Sequence, residues 1–553
     1  MIQKISFQNY KAFKNGEIEL KPITILLGAN SVGKSSIINL LLMLQQTANA
    51  TNYKFALKLN GENVGMGECK NIFRNHETSK NLILEFEFSD EKLLDMLNEK
   101  LMSDLRDRTS KPLRFLFFLS EKKQERYKTK YFDNKNQIKK NVFADETLFR
   151  KFLTEMYELR KEIFPTQDIS DDSEDYTKTY SFLKSLSEVN RDNFILSFEI
   201  KHIEKKEKQT KQEKQKKQKS ELLKINKIIL KQASRIVLSI ELNFKKDNSG
   251  YQAIDVISEF ADCTSISKEH KNELLQAINF DSTIFSVLSS IEDNYEGNNP
   301  IFSRTIFEIF SQAMENVENQ FKTNKSINHI SPLRAHPQRY YGLDKANINT
   351  YLNSLDGNSL VEILKENKEV RDLVNGWLKT ILKMGVNVNP INDVIHSLKI
   401  KPPKLIFDLD ITDVGFGISQ MLPVIVQSFM SEKDSITMIE QPEIHLHPKL
   451  QADLADLFIH IVKTHNQNAE KCLLIETHSE YLLRRLRRKI SEKEISNEEV
   501  AVYFIAPPKN KNSSAIIDKK KVSENGYFDY PQDFMGEDLE KDMISFINQQ
   551  FNK

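Results

Sequence analysis

The run Gly28-Ala-Asn30-Ser31-Val-Gly33-Lys34-Ser35 has the spacing G-x4-G-K-S. Glycines at its two ends let backbone N–H groups close on phosphate oxygens. The lysine is placed for terminal phosphates and the next hydroxyl for a divalent cation. Gly28, Asn30, Ser31, Gly33, Lys34, Ser35 and Ser36 are therefore candidate phosphate contacts, with Ser35 a candidate Mg2+ ligand. Far downstream, Ile436-Thr-Met-Ile-Glu440-Gln441-Pro-Glu443 is an apolar run ending in carboxylates. Glu440 is placed at a strand end beside the P-loop, where it can hold a metal shell. Leu473-Leu-Ile-Glu476-Thr-His478-Ser is a second such run, ending in an imidazole that can donate to a phosphate or shuttle a proton. In Asp413-Val-Gly415-Phe-Gly417-Ile-Ser419-Gln420, two glycines and a serine precede an apolar helix. Such a helix start can bind an anion, although a Ser-capped helix alone looks the same.

These residues need elements to hold them. Ile5 and Phe7, then Ile18 and Leu20, alternate with polar neighbours, as half-buried strands do. Ile23 to Leu27 is a continuous β-branched and apolar run that stops at Gly28, the pattern of a fully buried strand. Ser35 to Gln46 has no breaker and reads as a buried helix, and residues 82–88 as an alternating strand. Strands are expected at Ile436–Ile439 and Leu473–Ile475. Between them Leu450, Leu454, Leu457 and Ile461 mark one face of a helix. Strand, helix, strand at this spacing implies an α/β sheet with crossover connections.

The 553 residues suffice for more than one domain. The formal net charge of +1 excludes an overall electrostatic footprint for nucleic acid, so any basic face must be local. Cys69, Cys263 and Cys472 form no Cys-x-x-Cys pair, which fits a reducing, cytoplasmic setting. The opening MIQKISFQNYKAF reads as a strand rather than a signal segment, and no apolar run of about 18 residues suggests a membrane helix. From about 90 to 325 glycine nearly vanishes, charge rises and helical patterns dominate. Asp168–Tyr176 is an acidic solvated loop, and Lys201–Lys219 has Ile203 as its one apolar residue. That run is a solvated loop or helical tip, or a phosphate-backbone contact. Arg484, Arg485, Arg487, Arg488 and Lys489 either face an anionic partner or pair with acidic neighbours.

The order P-loop, insertion, Gly-rich signature, carboxylate-ended strand, histidine loop resembles the ATP-binding-cassette (ABC) ATPases of the SMC/RecF/OLD-like branch. Phe7-Gln-Asn-Tyr10-Lys-Ala-Phe13 resembles that branch's first strand. The resemblance implies an α/β ABC-type P-loop ATPase head with a helical insertion (arm) domain. Residues 1–90 would be the N-terminal half of the head, 91–326 the helical, charged arm, 327–530 the C-terminal half, and 531–553 a helical tail. It further implies ATP and Mg2+, and two protomers enclosing two ATP molecules. Gly415, Gly417, Ser419 and Gln420 of one protomer would then face the P-loop and Glu440 of the other. His445–Pro448 would lie at the dimer contact, with His478 the switch histidine.

Three longer phrases, Ile330-Ser-Pro-Leu-Arg334-Ala-His-Pro-Gln-Arg339-Tyr-Tyr, Glu440–Pro448 and Glu476–Arg485, resemble AAA-type ATPases of prokaryotic anti-phage systems. The Septu ATPases (PtuA-like), also found beside retrons, are the nearest likeness, with the PARIS ATPases a near alternative. This implies an HNH nuclease partner (PtuB-like), or a retron reverse transcriptase with its non-coding RNA. Two rival readings are a RecF/SMC-like ATPase that clamps DNA and a nucleotide-locked scaffold that does not hydrolyse. Gln441 stands where the branch usually has its catalytic carboxylate, so slow hydrolysis is expected. An amide can orient water but cannot accept its proton. No Toprim or HNH signature is visible, so no nuclease activity of its own is expected.

Overall fold

The structure of the protein is a computed structural model. It describes residues 1–50, 55–90, 121–132, 146–163, 193–205, 220–244, 251–259, 279–280, 283–285, 301–322, 326–343, 352–403, 405–464, 471–510 and 513–529. A few isolated positions (93, 139, 142, 177, 179, 181–184, 186 and 544–545) are described as well. The expected loop at Asp168–Tyr176, most of the Lys201–Lys219 run and nearly all of the C-terminal tail lie outside them.

The chain opens with β1 (Ile2–Tyr10), β2 (Phe13–Glu19) and β3 (Ile23–Leu27), then α1 (Lys34–Ala48) and β4 (Leu82–Ser89). The insertion carries α2 (Glu121–Tyr131), α3 (Glu146–Ile163), β5 (Asn193–Lys205), β6 (Ser220–Gln232), β7 (Arg235–Phe244), β8 (Tyr251–Ile257), β9 (Asn279–Phe280) and α4 (Ile301–Lys322). Next come β10 (Ile327–Ile330), β11 (Tyr341–Gly342), α5 (Gly357–Glu366), α6 (Lys368–Ile381), β12 (Gly385–Pro390), β13 (Ile395–Lys401) and β14 (Leu409–Asp410). The last stretch holds α7 (Phe416–Met430), β15 (Ile436–Glu440), α8 (Pro448–Thr464), β16 (Cys472–Glu476), α9 (Glu480–Ser491), β17 (Val500–Ala506) and β18 (Ile516–Lys520).

The central sheet has the order β10-β15-β16-β3-β17-β18, parallel except for the β17–β18 pair. β3, β15 and β16 are buried at every residue, because a parallel sheet covered on both faces has no solvent side. Alternate residues serve two different cores. Ile23, Ile25, Leu27, Ile439, Leu473 and Ile475 pack with α7, α8 and α9. Leu26, Met438, Leu474 and Tyr503 pack on the other side with α1, α4 and a second sheet.

That second sheet is antiparallel, β2-β1-β4-β5-β6-β7-β8-β9, and here the structure departs from a uniformly helical insertion. The insertion does supply helices, but residues 193–257 add four long strands to the edge of β4 and share the core of the N-terminal half. The period is two: Phe194, Leu196, Phe198 and Ile200 point inward, as do Leu238, Ile240 and Leu242. On the opposite face, charges pair across neighbouring strands of this sheet. Lys4 lies 2.8 Å from Glu87, Lys227 3.2 Å from Glu241 and Lys231 3.6 Å from Glu85.

Lys471, just before β16, is buried, and its ammonium donates to the Ser431 carbonyl beyond the end of α7. Burial lowers its pKa to about 8, with Glu432 acting in the opposite sense. A lysine whose folded pKa lies below its unfolded value costs stability while charged, and that cost disappears as pH rises from the folded to the unfolded pKa. The melting temperature of Lys471→Met relative to the parent should therefore fall steadily between pH 8 and 10.5. Parallel melting curves over that window would contradict this assignment.

Candidate nucleotide site

The loop between β3 and α1 takes its shape from two glycines. Gly28 has φ +144°, and a Cβ there would stand 2.4 Å from the Ile505 carbonyl oxygen. Gly33 has φ +115°, and a Cβ would meet the Phe13 ring at 2.7 Å. Only glycine fits both positions. α1 then begins at Lys34 with no side-chain cap and no acid in its first turn, so that end is electropositive. It opens on a cavity of about 550 Å³, walled by Asn30, Ser31 and Gly33–Ser36, by Gln441 and Glu476, and opposite by Lys11, Asn71, Phe73, Asn75 and His76. The volume suits a small ligand such as a nucleotide.

Lys34 arches over its own loop, donating to the carbonyls of Gly28 (3.0 Å) and Ala29 (2.7 Å). Its ammonium lies 3.6 Å from Glu476, and the Ser35 hydroxyl donates to the same carboxylate at 3.2 Å. Burial lowers the Lys34 pKa, and Glu476 opposes that shift. Burial raises the Glu476 pKa, Lys34 opposes it, and the neighbouring Glu440 raises it further. Sequence reasoning put Glu440 beside the P-loop; the structure puts it one strand farther out, because β16 lies between β15 and β3. Glu440 and Glu476 are register partners, so two carboxylates stand side by side at neighbouring strand ends. Glu440 is held by His329 Nε2 at 2.7 Å.

Among the described residues, no group of three or more His, Cys, Asp or Glu stands together to hold an ion. Two adjacent carboxylates and the Ser35 hydroxyl nonetheless fit Mg2+, which takes one or two protein carboxylates and completes its shell with water and phosphate oxygens. Ser35, Glu476 and Glu440 would hold it.

The turn after β15 is anchored from both sides. Gln441 adopts φ 44°, its N–H donates to the Glu476 carbonyl at 2.7 Å, and the residue lines the cavity. Glu443 does not line it. Its Oε1 accepts the His478 N–H at 2.6 Å, its Oε2 is buried without a hydrogen-bond partner, and burial raises its pKa. The His478 ring is exposed, and its pKa is lowered by partial burial and then by Lys34. Arg334 is buried behind this turn and donates to the carbonyls of Glu440 (2.9 Å), Gln441 (3.2 Å) and Gln420 (3.3 Å). Burial lowers its pKa to about 10, against the pull of Glu443 and Glu440, so it stays charged at neutral pH.

The signature segment stands apart from its own P-loop: Gly415, Gly417, Ser419 and Gln420 do not line the cavity. Gly415 and Phe416 are exposed, and Phe416 lies edge-on to His445 at 4.9 Å. Ser419 is buried, its hydroxyl donating to the Phe416 carbonyl at 2.7 Å, and Gln420 is buried against Ala335.

The basic run on α9 is matched by partners. Arg484 pairs with Glu480, Arg485 with Asp456 and Asp453, Arg488 with Glu492 and Lys489 with Glu494, while Arg487 lies over Tyr527 and Phe528. Of the two readings of this run, the structure has the pairing one.

Sequence reasoning gave no role to Glu476, His329, Arg334 or the far wall of the cavity. Glu476 did carry a signal, since it ends an apolar strand just as Glu440 does. The others meet the site only through tertiary contacts.

A P-loop between a buried parallel strand and its helix, carboxylates on the next strands, a displaced signature helix and a flanking antiparallel sheet define an ABC-type P-loop ATPase head. The sequence matches the AAA ATPase domain family over residues 1–483, and the chain belongs to that family. No curated protein matches it. Similar solved structures include an SMC head domain from Thermotoga maritima, at 8% identity over 94% of this chain and 98% of that one, TM-score 0.31. An SMC head bound to the C-terminal winged-helix domain of ScpA gives 8% identity over 94% and 97%, TM-score 0.36. An SMC head with an extended coiled coil, bound to the C-terminal domain of ScpA derived from Pyrococcus furiosus, gives 10% over 100% and 99%, TM-score 0.33. Among the described residues no helix is long and apolar enough to cross a membrane.

Lys34→Ala removes the one ammonium at the P-loop and its charge-assisted contacts to phosphate. On protein shown by its melting curve to be folded, though destabilised, calorimetry should show ATP affinity lowered by about a hundredfold or more. Unchanged affinity would overturn the placement of the nucleotide.

Proposed function

We propose that this chain is the ATP-binding, slowly hydrolysing subunit of an anti-phage defence complex, in which paired heads hold a separate nuclease in check. The observation that carries the reading is the separation of the signature from the P-loop within one protomer. Gly415 and Phe416 face outward beside His445, while Lys34, Ser35 and Glu476 line a cavity that the signature does not reach. A second copy supplies the missing wall, so nucleotide binding and head pairing become one equilibrium. Mg2+ would neutralise charge on the phosphates when bound by Ser35, Glu476 and Glu440. The chain's own residues then have distinct roles. Lys34 holds the terminal phosphates, Gln441 orients the attacking water, and Glu443 fixes the backbone of the histidine loop through the His478 N–H. Cutting belongs to the partner, of the HNH type that the sequence resemblance implies; with a retron, the partner is a reverse transcriptase and its RNA. The DNA-clamp alternative draws less support, because the basic run on α9 is already paired.

A Cβ at Gly415 would meet nothing within 4 Å and the residue is exposed, so Gly415→Arg should leave the protomer folded while putting a charge on the pairing face. In native mass spectrometry and calorimetry it should bind ATP like the parent yet fail to form the nucleotide-linked assembly. Co-expressed with the neighbouring nuclease, it should lose control of DNA cutting, and the parent chain alone should leave plasmid DNA intact with Mg2+ or Mn2+. Metal-dependent cutting by this chain alone, abolished by a substitution within it, would refute the division of labour.

The amide at Gln441 supports slow turnover and a long-lived ATP-bound state. Gln441→Glu places a general base in the cavity, and such catalysis is worth about 10²- to 10⁴-fold where geometry permits. Single-turnover hydrolysis should accelerate. A slower Gln441→Glu, together with an inactive Glu443→Gln, would move the base to Glu443, and Glu440 would then be suffering added like charge.

A further inference from the structure

Arg334 lies in the Ile330–Tyr341 phrase that the sequence reading singled out without assigning it chemistry. The residue is 6% exposed, does not line the nucleotide cavity, and sits between two functional elements. One Nη donates to the Gln420 carbonyl in α7, the helix that carries the signature at its N-terminus. The other bridges the carbonyls of Glu440 and Gln441, where the chain leaves β15. The link is returned, for the Gln420 amide donates to the Ala335 carbonyl at 3.4 Å. α7 is also receptive at this level. Pro423 lies inside it and has no N–H to give the carbonyl four residues earlier, so the ladder is interrupted in the turn that Arg334 touches. On the other side Gln441 occupies a left-handed conformation that a non-glycine residue holds only when its surroundings impose it. The Gln441 N–H is bound to the Glu476 carbonyl, and its C=O to Arg334.

We infer that Arg334 is a positioning residue for hydrolysis: it ties the signature helix to the turn bearing Gln441, so that a displacement of α7 on head pairing is transmitted to the cavity wall of the same protomer. A planar fork spans three carbonyls on two elements; a lysine keeps the charge but contacts fewer acceptors in a less fixed geometry. The inference rests on the ATPase reading, and the two can fail separately.

The experiment compares the full chain with Arg334→Lys and Arg334→Gln, alone and combined with Gln441→Ala. ATP affinity is measured by calorimetry and hydrolysis by single-turnover kinetics, with melting curves to establish folding. Arg334→Lys should bind ATP within about twofold of the parent and hydrolyse it at least about tenfold more slowly, since small misplacements of a catalytic group cost rate rather than binding. Arg334→Gln, where it folds, should be slower still. Adding Arg334→Lys to Gln441→Ala should cost little more, because residues that act through one another are not additive. A folded Arg334→Lys with parental turnover would overturn the inference, and so would equal losses of affinity and rate, or additive losses with Gln441→Ala. If the parent chain itself shows no turnover, it is the ATPase reading that fails.

Discussion

The buried contact between Lys34 and Glu476 constrains most of what surrounds it. Both side chains are almost fully removed from water, at 3% and 5% exposure, and neither charge is tolerable there without the other. Removing one partner of such a pair typically costs about 3–5 kcal/mol, because it strands the remaining charge. The pair depends on β16 lying directly beside β3, where Glu476 is the register partner of Leu26 and meets the start of α1. From that placement follow the outer position of β15, the register of Glu440 against Glu476, and the bond from the Gln441 N–H to the Glu476 carbonyl.

The same geometry explains why the site carries so many buried polar groups. Carboxylates at adjacent strand ends repel, and burial makes that repulsion costly. The structure answers with cations and donors from elsewhere in the chain: His329 from β10 on Glu440, Lys34 on Glu476, and Arg334 behind the turn, facing Glu440 and Glu443. His329 and Arg334 come from the β10 edge of the sheet, and Lys34 from the loop after β3 in its interior. The cavity is thus an assembly of strand ends, and a shift of any one strand alters the electrostatics of the rest.

The antiparallel sheet positions the other wall. β1 and β4 share a core with α1, so the helix that begins at the P-loop is packed against both sheets at once. The strands of the insertion enlarge that sheet and its core. They make the N-terminal half a broad platform, and two of their lysines, Lys227 and Lys231, are paired with carboxylates across strands.

Local pattern was enough to place the P-loop, the buried strands at 23–27, 436–439 and 473–475, and the helix that follows Gly33. Each of those signals lies within a single element: a glycine that must turn, a β-branched run that must be covered, a period that must face a core. Lys34, Ser35, Gln441 and Glu476, brought together around one cavity, lie within three such motifs, although Glu476 carried no role in the sequence reading. What the tertiary structure alone decided was adjacency. Strand order set Glu476 against Ser35 and moved Glu440 outward, since pairing between parallel strands is chosen by crossover packing rather than by the strands' own sequences. It also decided that the charged segments at 193–205, 220–232, 235–244 and 251–257 are strand rather than helix. There, charges spaced for one face of a sheet look like those of a solvated helix until the partner strands supply the opposite charges and the hidden face. Arg334 is the extreme case. Nothing next to it in sequence indicates its role, because all three carbonyls it binds arrive from distant segments of the chain.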